Sequence, residues 1–410
     1  MSEWPKVRFD QFSSLDRWAF SIGPFGSKVT TGDYRDHGVP FIRGVNLAKG
    51  IFTDSEFVFI SDEKANEIES AIVRPGDIVF TRKGTVGQVS MIPRNPRYER
   101  YAISGSQVKA RIDERRAVPE FYYYWFRSPA GRHSILEHAV TTGVPSLANS
   151  LASIRGLMVP NPPYAEQLAM AQVLGALDDK IAINDRIAAT SQQLALSHFS
   201  RAVLADGSVE VDVESVSSVL TRGIAPKYSE VPDDLVVLNQ KCIREGRVSL
   251  APARLTLREK VKEPKLLHRN DVLVNSTGVG TLGRVARWTS HDAATVDSHI
   301  TIVRFDGMAV DPVCAGFAML HAQPEIEAMG EGSTGQTELR RAQLGALEIT
   351  LPSRAQQQQL RPKLDALEES AGQALAESVA LVTLRDTLLP QLMSGRIRVS
   401  DAEKIVEDHA

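Results

Sequence analysis

The sequence predicts a mixed α/β (α+β) protein written twice: two similar α/β domains separated by two long antiparallel helices of coiled-coil type, the halves related by a pseudo-twofold. Three observations predict it. The strand, glycine turn and strand of GDIVFTRKGTVGQV (76–89) return as NDVLVNSTGVGTLGRV (270–285). The offset between copies stays within 192 to 196 across later blocks, and each copy runs into a long stretch with helical apolar spacing.

Taken in order, residues 1–162 make the first domain, 163–204 the first helix, 205–352 the second domain, 353–395 the second helix and 396–410 a C-terminal tail. Within the domains Asp77 aligns with Asp271, Gly84 with Gly278 and Gly87 with Gly283. SGSQVKARID (104–113) matches DSHITIVRFD (297–306), so Arg111 and Asp113 fall on Arg304 and Asp306. TGVPSLANSLASIRGLMVP (142–160) matches TGQTELRRAQLGALEITLP (334–352), with Leu147 on Leu339 and Pro160 on Pro352. The aromatic run YYYWF (122–126), with Pro119 ahead of it, reads as a buried amphipathic helix.

The second helix carries Leu360, Leu364, Leu367, Ala371, Ala374, Leu381, Leu388 and Leu392 at alternating steps of three and four, with Ser378 and Arg385 as weak points of the seam. The first carries Leu168, Leu174, Leu177, Ile181, Ala188 and Ala195, interrupted by Asn184. Pro162 and Pro163 suit the entry to the first helix, and Pro390 is expected to end the second. At 1.5 Å per residue such helices span roughly 55–60 Å and need a partner to bury their stripes.

Composition sets bounds. The chain has 410 residues, 43% hydrophobic and 24% charged, enough for more than one core. No apolar run of membrane-spanning length occurs, and the start lacks the pattern of a secretory signal, so a cytoplasmic protein is expected. Cys242 and Cys314 are the only cysteines and have no metal-ligand spacing, and the steps between His291, Asp292, Asp297 and His299 suit no standard site, so no metal is expected. The net charge of −3 is uneven: residues 1–160 carry +4 and residues 205–352 carry −4. A protein gripping DNA alone is usually more basic, which leaves much positive surface to a partner.

GSKVTTGDYRDHGVPFIRGVNLAKGIF (26–52), RGIAPKYSEVPDDLVVLNQKCIREG (222–246), AEQLAMAQVLGALDDKIAIN (165–184) and LRDTLLPQLMSG (384–395), in this order and within a repeat, resemble the specificity subunit of type I restriction-modification systems. The resemblance covers almost the whole chain. It implies a non-catalytic DNA-recognition subunit whose two target-recognition domains each read half of a split sequence, while the helices bind two methyltransferase subunits and, where present, restriction subunits. It places S-adenosylmethionine, ATP and Mg on those partners, with no cofactor in this chain. Two features depart from the pattern: Pro362 early in the second helix and the acidic balance of the second domain.

The candidate DNA-binding residues fall in three places in each domain. The hairpin turns offer Arg82, Lys83, Thr85 and Gln88 in one copy and Ser276, Thr277 and Arg284 in the other. Glycines there allow close approach to a phosphate, and the polar groups between them differ, as two readers of different sequences require. The loops before the last strand offer Thr142 and Ser146, then Gln336, Thr337 and Arg340. The fronts of the domains offer Lys28, Arg43 and Asn46, then Arg222, Lys227, Tyr228, Asn239, Gln240 and Lys241. For each residue singly, a solvated turn or a local cap is about as good an account.

Two motifs suggest other chemistry. GVGTLG (278–283) spells a dinucleotide fingerprint, but a strand follows it where a phosphate-binding helix is required. NPPY (Asn161–Tyr164) resembles the catalytic motif of amino-group DNA methyltransferases and supports the alternative of a stand-alone methyltransferase. The aligned Pro352, Ser353 and Arg354 make the position a strand-to-helix joint in both halves.

Overall fold

A computed structural model describes residues 4–26, 28–50, 52–330 and 338–408. The chain divides into two compact units, residues 1–183 with 377–410 and residues 184–376. Each unit holds one α/β domain and half of each long helix.

In unit one, β-branched and aromatic runs bounded by Gly, Pro and Asp form two four-stranded sheets. The first orders Phe20–Ile22, Gln107–Ala110, Ile78–Thr81 and Val89–Met91, all antiparallel. The second orders Val58–Ile60, Val39–Ile42, Tyr101–Ile103 and Ile72–Val73, with Val39–Ile42 running parallel to Tyr101–Ile103. Pro119–Arg127 is a helix whose aromatic residues are all buried. Phe126 meets Phe9 and Phe80 edge to face at 4.9 Å, a geometry that adds to the burial of apolar area.

Unit two repeats this plan. Ser217–Arg222, Ile300–Phe305, Val272–Asn275 and Val285–Arg287 form the first sheet in the same order. The second holds Tyr228–Ser229, Arg254–Thr256, Leu235–Leu238 and Ala294–Val296, again with one parallel pair. The helix corresponding to Pro119–Arg127 is Pro312–His321. In both units a strand pair leads into a long helix: Lys6–Arg8 with Met158–Pro160, and Val209–Asp212 with Glu348–Leu351.

The long helices run Tyr164–Val203 and Arg354–Met393. They pack antiparallel within each unit. In unit one Leu174, Leu177 and Ile181 share a core with Leu381, Leu388 and Leu392; in unit two Ala188 meets Ala371 and Ala374, while Leu360, Leu364 and Leu367 join the core around Phe199. Leu168, placed on the stripe by spacing, is 41% exposed, and Gln167, Met170 and Ala171 are buried in its place. The second helix continues one turn past Pro390 and through Pro362. Each proline withholds an N–H and crowds the carbonyl four residues before it, but buried residues on both sides of each, Leu360 and Leu364, then Leu389 and Leu392, keep the helix continuous. Val399–Glu407 adds a short helix whose Ala402 is buried in unit one.

Both helices carry a buried glutamine in their first turn. Gln167 accepts the Val118 N–H at 3.0 Å and donates to the Pro162 carbonyl at 2.9 Å. Gln357 accepts the Asp311 N–H at 2.9 Å and donates to the Pro352 carbonyl at 2.8 Å. Val118 and Asp311 are the residues that open the domain helices.

Candidate nucleic-acid interface

Two of the predicted loops come together in each domain through backbone hydrogen bonds. In unit one Thr81 N–H donates to the Gln88 carbonyl at 2.9 Å and closes the hairpin, with Gly84 and Gly87 at positive φ. The turn then binds the loop before the last strand: Lys83 bridges Ser146, Leu147 N–H reaches the Arg82 carbonyl at 2.8 Å, and Gly84 N–H the Pro145 carbonyl at 2.9 Å. In unit two Asn275 N–H donates to the Arg284 carbonyl at 2.9 Å, Thr277 bridges Glu338, and Leu339 N–H reaches the Ser276 carbonyl at 2.9 Å. The same backbone frame thus carries different side chains.

Behind each frame sits a buried ion pair. Arg111 grips Asp77 with two nitrogens, at 2.8 and 2.7 Å, and Arg304 grips Asp271 with two, both at 2.7 Å. Both aspartates also accept the N–H that opens their turn, from Arg74 and His268. The strand tips beneath the loops are fixed by charge as well as by ladder hydrogen bonds.

The candidate side chains divide by what they already hold. Lys83, Thr85 and Thr142 are exposed on the joined loops of unit one, with Thr85 Oγ1 donating to Gln88 Oε1 at 2.7 Å and Ser146 half-buried. Arg82 spends Nε on Ser150 Oγ at 2.9 Å and Nη1 on the Gly105 carbonyl at 2.7 Å. In unit two Ser276 is fully buried, its Oγ 2.5 Å from Thr301 Oγ1. Thr277 Oγ1 accepts from Gln240 Nε2 at 2.6 Å and lies 2.8 Å from His299 Nδ1, which brings the front loop to the turn. Arg284 donates to the Gly280 carbonyl at 2.8 Å, and Arg340 is exposed. Arg222 donates to Glu338 Oε1 at 2.9 Å and to the Leu339 carbonyl at 2.8 Å. Gln336 and Thr337 lie outside the described residues.

At the domain fronts Lys28, Lys227, Lys241 and Tyr228 are exposed, Tyr228 with the Arg254 guanidinium 3.4 Å from its ring centre. Arg43 donates to the Glu56 carbonyl at 3.2 Å. Asn46 is 1% exposed and commits both ends of its amide, accepting Arg43 N–H at 3.0 Å and donating to the Ser55 carbonyl at 2.9 Å. That leaves it as a loop clamp with nothing to offer a base edge. Its place in unit two is taken by Cys242, whose Sγ accepts the Asn239 N–H at 3.4 Å. Asn239 likewise accepts Lys241 N–H at 2.9 Å and donates to the Pro252 carbonyl at 2.6 Å. Asp297, close under the turn, accepts His299 N–H at 2.9 Å, and burial pushes its carboxyl above the ordinary value.

The two motifs that suggested other chemistry are structural. Gly278, Gly280 and Gly283 take positive φ in the hairpin turn, and the strand Val285–Arg287 follows. In NPPY, Asn161 N–H donates to the Pro5 carbonyl at 2.9 Å and Tyr164 Oη to the Glu114 carbonyl at 3.0 Å, seating the joint on its own domain. The methyltransferase alternative finds no support. Among the described residues no group of His, Cys, Asp and Glu is placed to hold a metal, and no helix is long and apolar enough to cross a membrane.

Residues 25–190 match the family model described as the type I restriction modification DNA specificity domain. No curated protein matches the chain in sequence. Among solved structures, the type I restriction-modification S subunit from M. genitalium aligns with a TM-score of 0.62 at 14% identity, covering 95% of this chain and 96% of that one. The HsdS subunit from Thermoanaerobacter tengcongensis aligns over 96% of this chain and 97% of its own at 14% identity, with a TM-score of 0.34. Residues 25–190 of the chain are thus similar to the type I restriction modification DNA specificity domain, and over nearly its whole length the chain shares the fold of the M. genitalium S subunit.

Proposed function

We propose that this chain is the DNA-specificity subunit of a type I restriction-modification complex. Each α/β domain reads one half of a bipartite target in the major groove through its hairpin turn and the loop bridged to it. The observation that carries this reading is the twice-built frame: the Lys83–Ser146 and Thr277–Glu338 bridges are equivalent, while the side chains displayed on them differ. One frame with two lettering sets is what a reader of two unlike half-sites needs.

In this reading Lys83, Thr85 and Thr142 approach one half-site, and Lys227, Lys241, Arg284 and Arg340 the other. The helix pair sets the unread gap, with half-site centres about 10 base pairs apart, one turn of the duplex. It also docks two methyltransferase subunits, and restriction subunits where the system has them. The chain itself performs no catalysis. Its partners bring S-adenosylmethionine, ATP and Mg and extract the target adenine from the stack. The complex works in the cytoplasm, where its DNA is.

Co-expression with the neighbouring methyltransferase, followed by mapping of methylated adenines, tests this. A split motif is the expected product, and replacing residues 1–160 by another reader changes one half of it only. A contiguous motif, or a change in both halves, defeats the reading.

A further inference from the structure

Beside each pair of bridged loops lies an open basic hollow, and the two hollows occupy the same place in the repeat. The one in unit one measures about 740 Å³ and runs from Ile22, at the end of the edge strand, to Leu147 and Ser150. Arg8, Arg82 and Arg155 line it, with Asp10 as the one carboxylate. The one in unit two measures about 540 Å³, and Arg222, Lys265, Arg340 and Arg341 line it against Glu338 alone. Their equivalence follows from the backbone: Leu147 and Leu339 bond the same carbonyl of the turn, and Ile22 and Arg222 both end the strand that precedes a close-packed glycine.

The charge is repeated although the residues are not. Where unit one has Ile22, unit two has Arg222; where unit one has Arg82, unit two has Ser276, buried and neutral; where unit one has Asn149, unit two has Arg341. Arg82 and Arg222 nevertheless cap equivalent carbonyls, Gly105 and Ser298, from different strands. General basicity does not explain the second hollow, since residues 205–352 carry a net −4. Four cations held around one carboxylate repel one another, and burial together with Arg341 pushes the Lys265 ammonium below its ordinary value. Such an arrangement is relieved by an anion, and arginines present paired N–H groups that match phosphate oxygens.

We propose that each hollow seats backbone phosphates of the DNA whose bases the adjoining loops read. The proposal rests on the DNA-reading function above and adds the groups that hold the duplex in register. Phosphate contacts position a protein on DNA without carrying sequence information. Of the cations involved, Arg8, Arg155, Lys265 and Arg341 lie outside the turns and loops that sequence motifs single out, and Arg341 is exposed, so it can be changed without disturbing the core.

The test uses the full-length chain assembled with its co-expressed methyltransferase subunits, binding a duplex that carries its methylated motif at 50 to 200 mM salt. For R341A the slope of log affinity against log salt should fall by about 0.9 for a phosphate no longer neutralised, with roughly tenfold weakening at low salt and the same methylated motif. R155A should do the same for the other half-site, and R341K should keep most of the slope. A wild-type complex that binds selectively while the variants keep its slope and affinity overturns this proposal alone. A changed motif would make these residues base readers, and failed subunit assembly with an unmoved slope would make the hollow a protein-docking surface; either overturns it. A wild-type complex with no sequence preference overturns the DNA-reading function as well.

Discussion

Arg385 Nη1 donates to Asp178 Oδ1 at 2.6 Å, joining the two long helices within unit one at a position where the apolar seam is broken. The other oxygen of Asp178 accepts Tyr124 Oη at 2.9 Å and Arg127 Nη1 at 3.3 Å. One carboxylate therefore ties the second helix, the first helix and the aromatic helix of the domain.

Removing Arg385 leaves Asp178 half-served in a largely buried setting. R385A should lower stability by about 1–3 kcal/mol, less than the loss for a fully buried pair because Arg127 remains. R385M, which refills the seam, should recover part of it. Urea unfolding of the four members of an R385A/D178A cycle measures the coupling, and additive losses would show that the ion pair contributes nothing.

The paired grips of Arg111 on Asp77 and Arg304 on Asp271 should differ in cost when broken. Arg111 has a second acid, Asp16, 2.5 Å from its Nη1, whereas Arg304 turns its spare donor to the Leu266 carbonyl. D271N should therefore cost about 3 kcal/mol or more and D77N about 1 kcal/mol less. Chemical denaturation followed in each unit decides the order.

Lys109 is 1% exposed between strands, its ammonium donating to the Ile72 carbonyl, and burial pulls its pKa down to about 8. The unfolded chain keeps that proton up to about pH 10.4, so between these values the unfolded state binds more protons and stability rises with pH. The relief amounts to about 3 kcal/mol, complete near pH 10.4 and absent below pH 8. Ile302 holds the equivalent position in unit two. K109M should be more stable than the parent at pH 7 by about 1–2 kcal/mol, with an advantage that shrinks through this window. A constant difference from pH 7 to 10 would refute the assignment.

Gly23 and Gly223 lie where a Cβ would come 2.0 Å from the Ser104 carbonyl oxygen and 2.1 Å from that of Asp297. The obstacle is backbone, which cannot swing aside. G23A and G223A should each cost about 3 kcal/mol or more, against within about 0.5 kcal/mol for G26A, whose Cβ would meet nothing within 4 Å. Thermal unfolding of the three variants is sufficient.

Much of the fold was legible because its signals are local. The glycine hairpins, the alternating strands around Val79 and Leu273 and the three-four spacing from Leu360 onward need no knowledge of distant residues. Pro390 misled because a proline weakens a helix without obliging it to stop where one turn of packed residues follows. Leu168 misled because the stripe rotates at the helix entry, where Gln167 turns inward to the domain. The site was legible as loops and much less so as side chains. Ser276 and Asn46 carry the right groups for a base edge, yet both are buried and spent on their own backbone. Arg155, Lys265 and Arg341 carry no local signal, because only the folded chain brings them beside the turns.

The buried amides of Gln167 and Gln357 each join one backbone N–H at the mouth of a domain helix to one proline carbonyl, and Gln167 Nε2 also reaches Asn161 Oδ1 at 3.4 Å. At this contact the domain helix contributes a backbone N–H and no side chain, so its sequence there is free to diverge while the attachment stays constant.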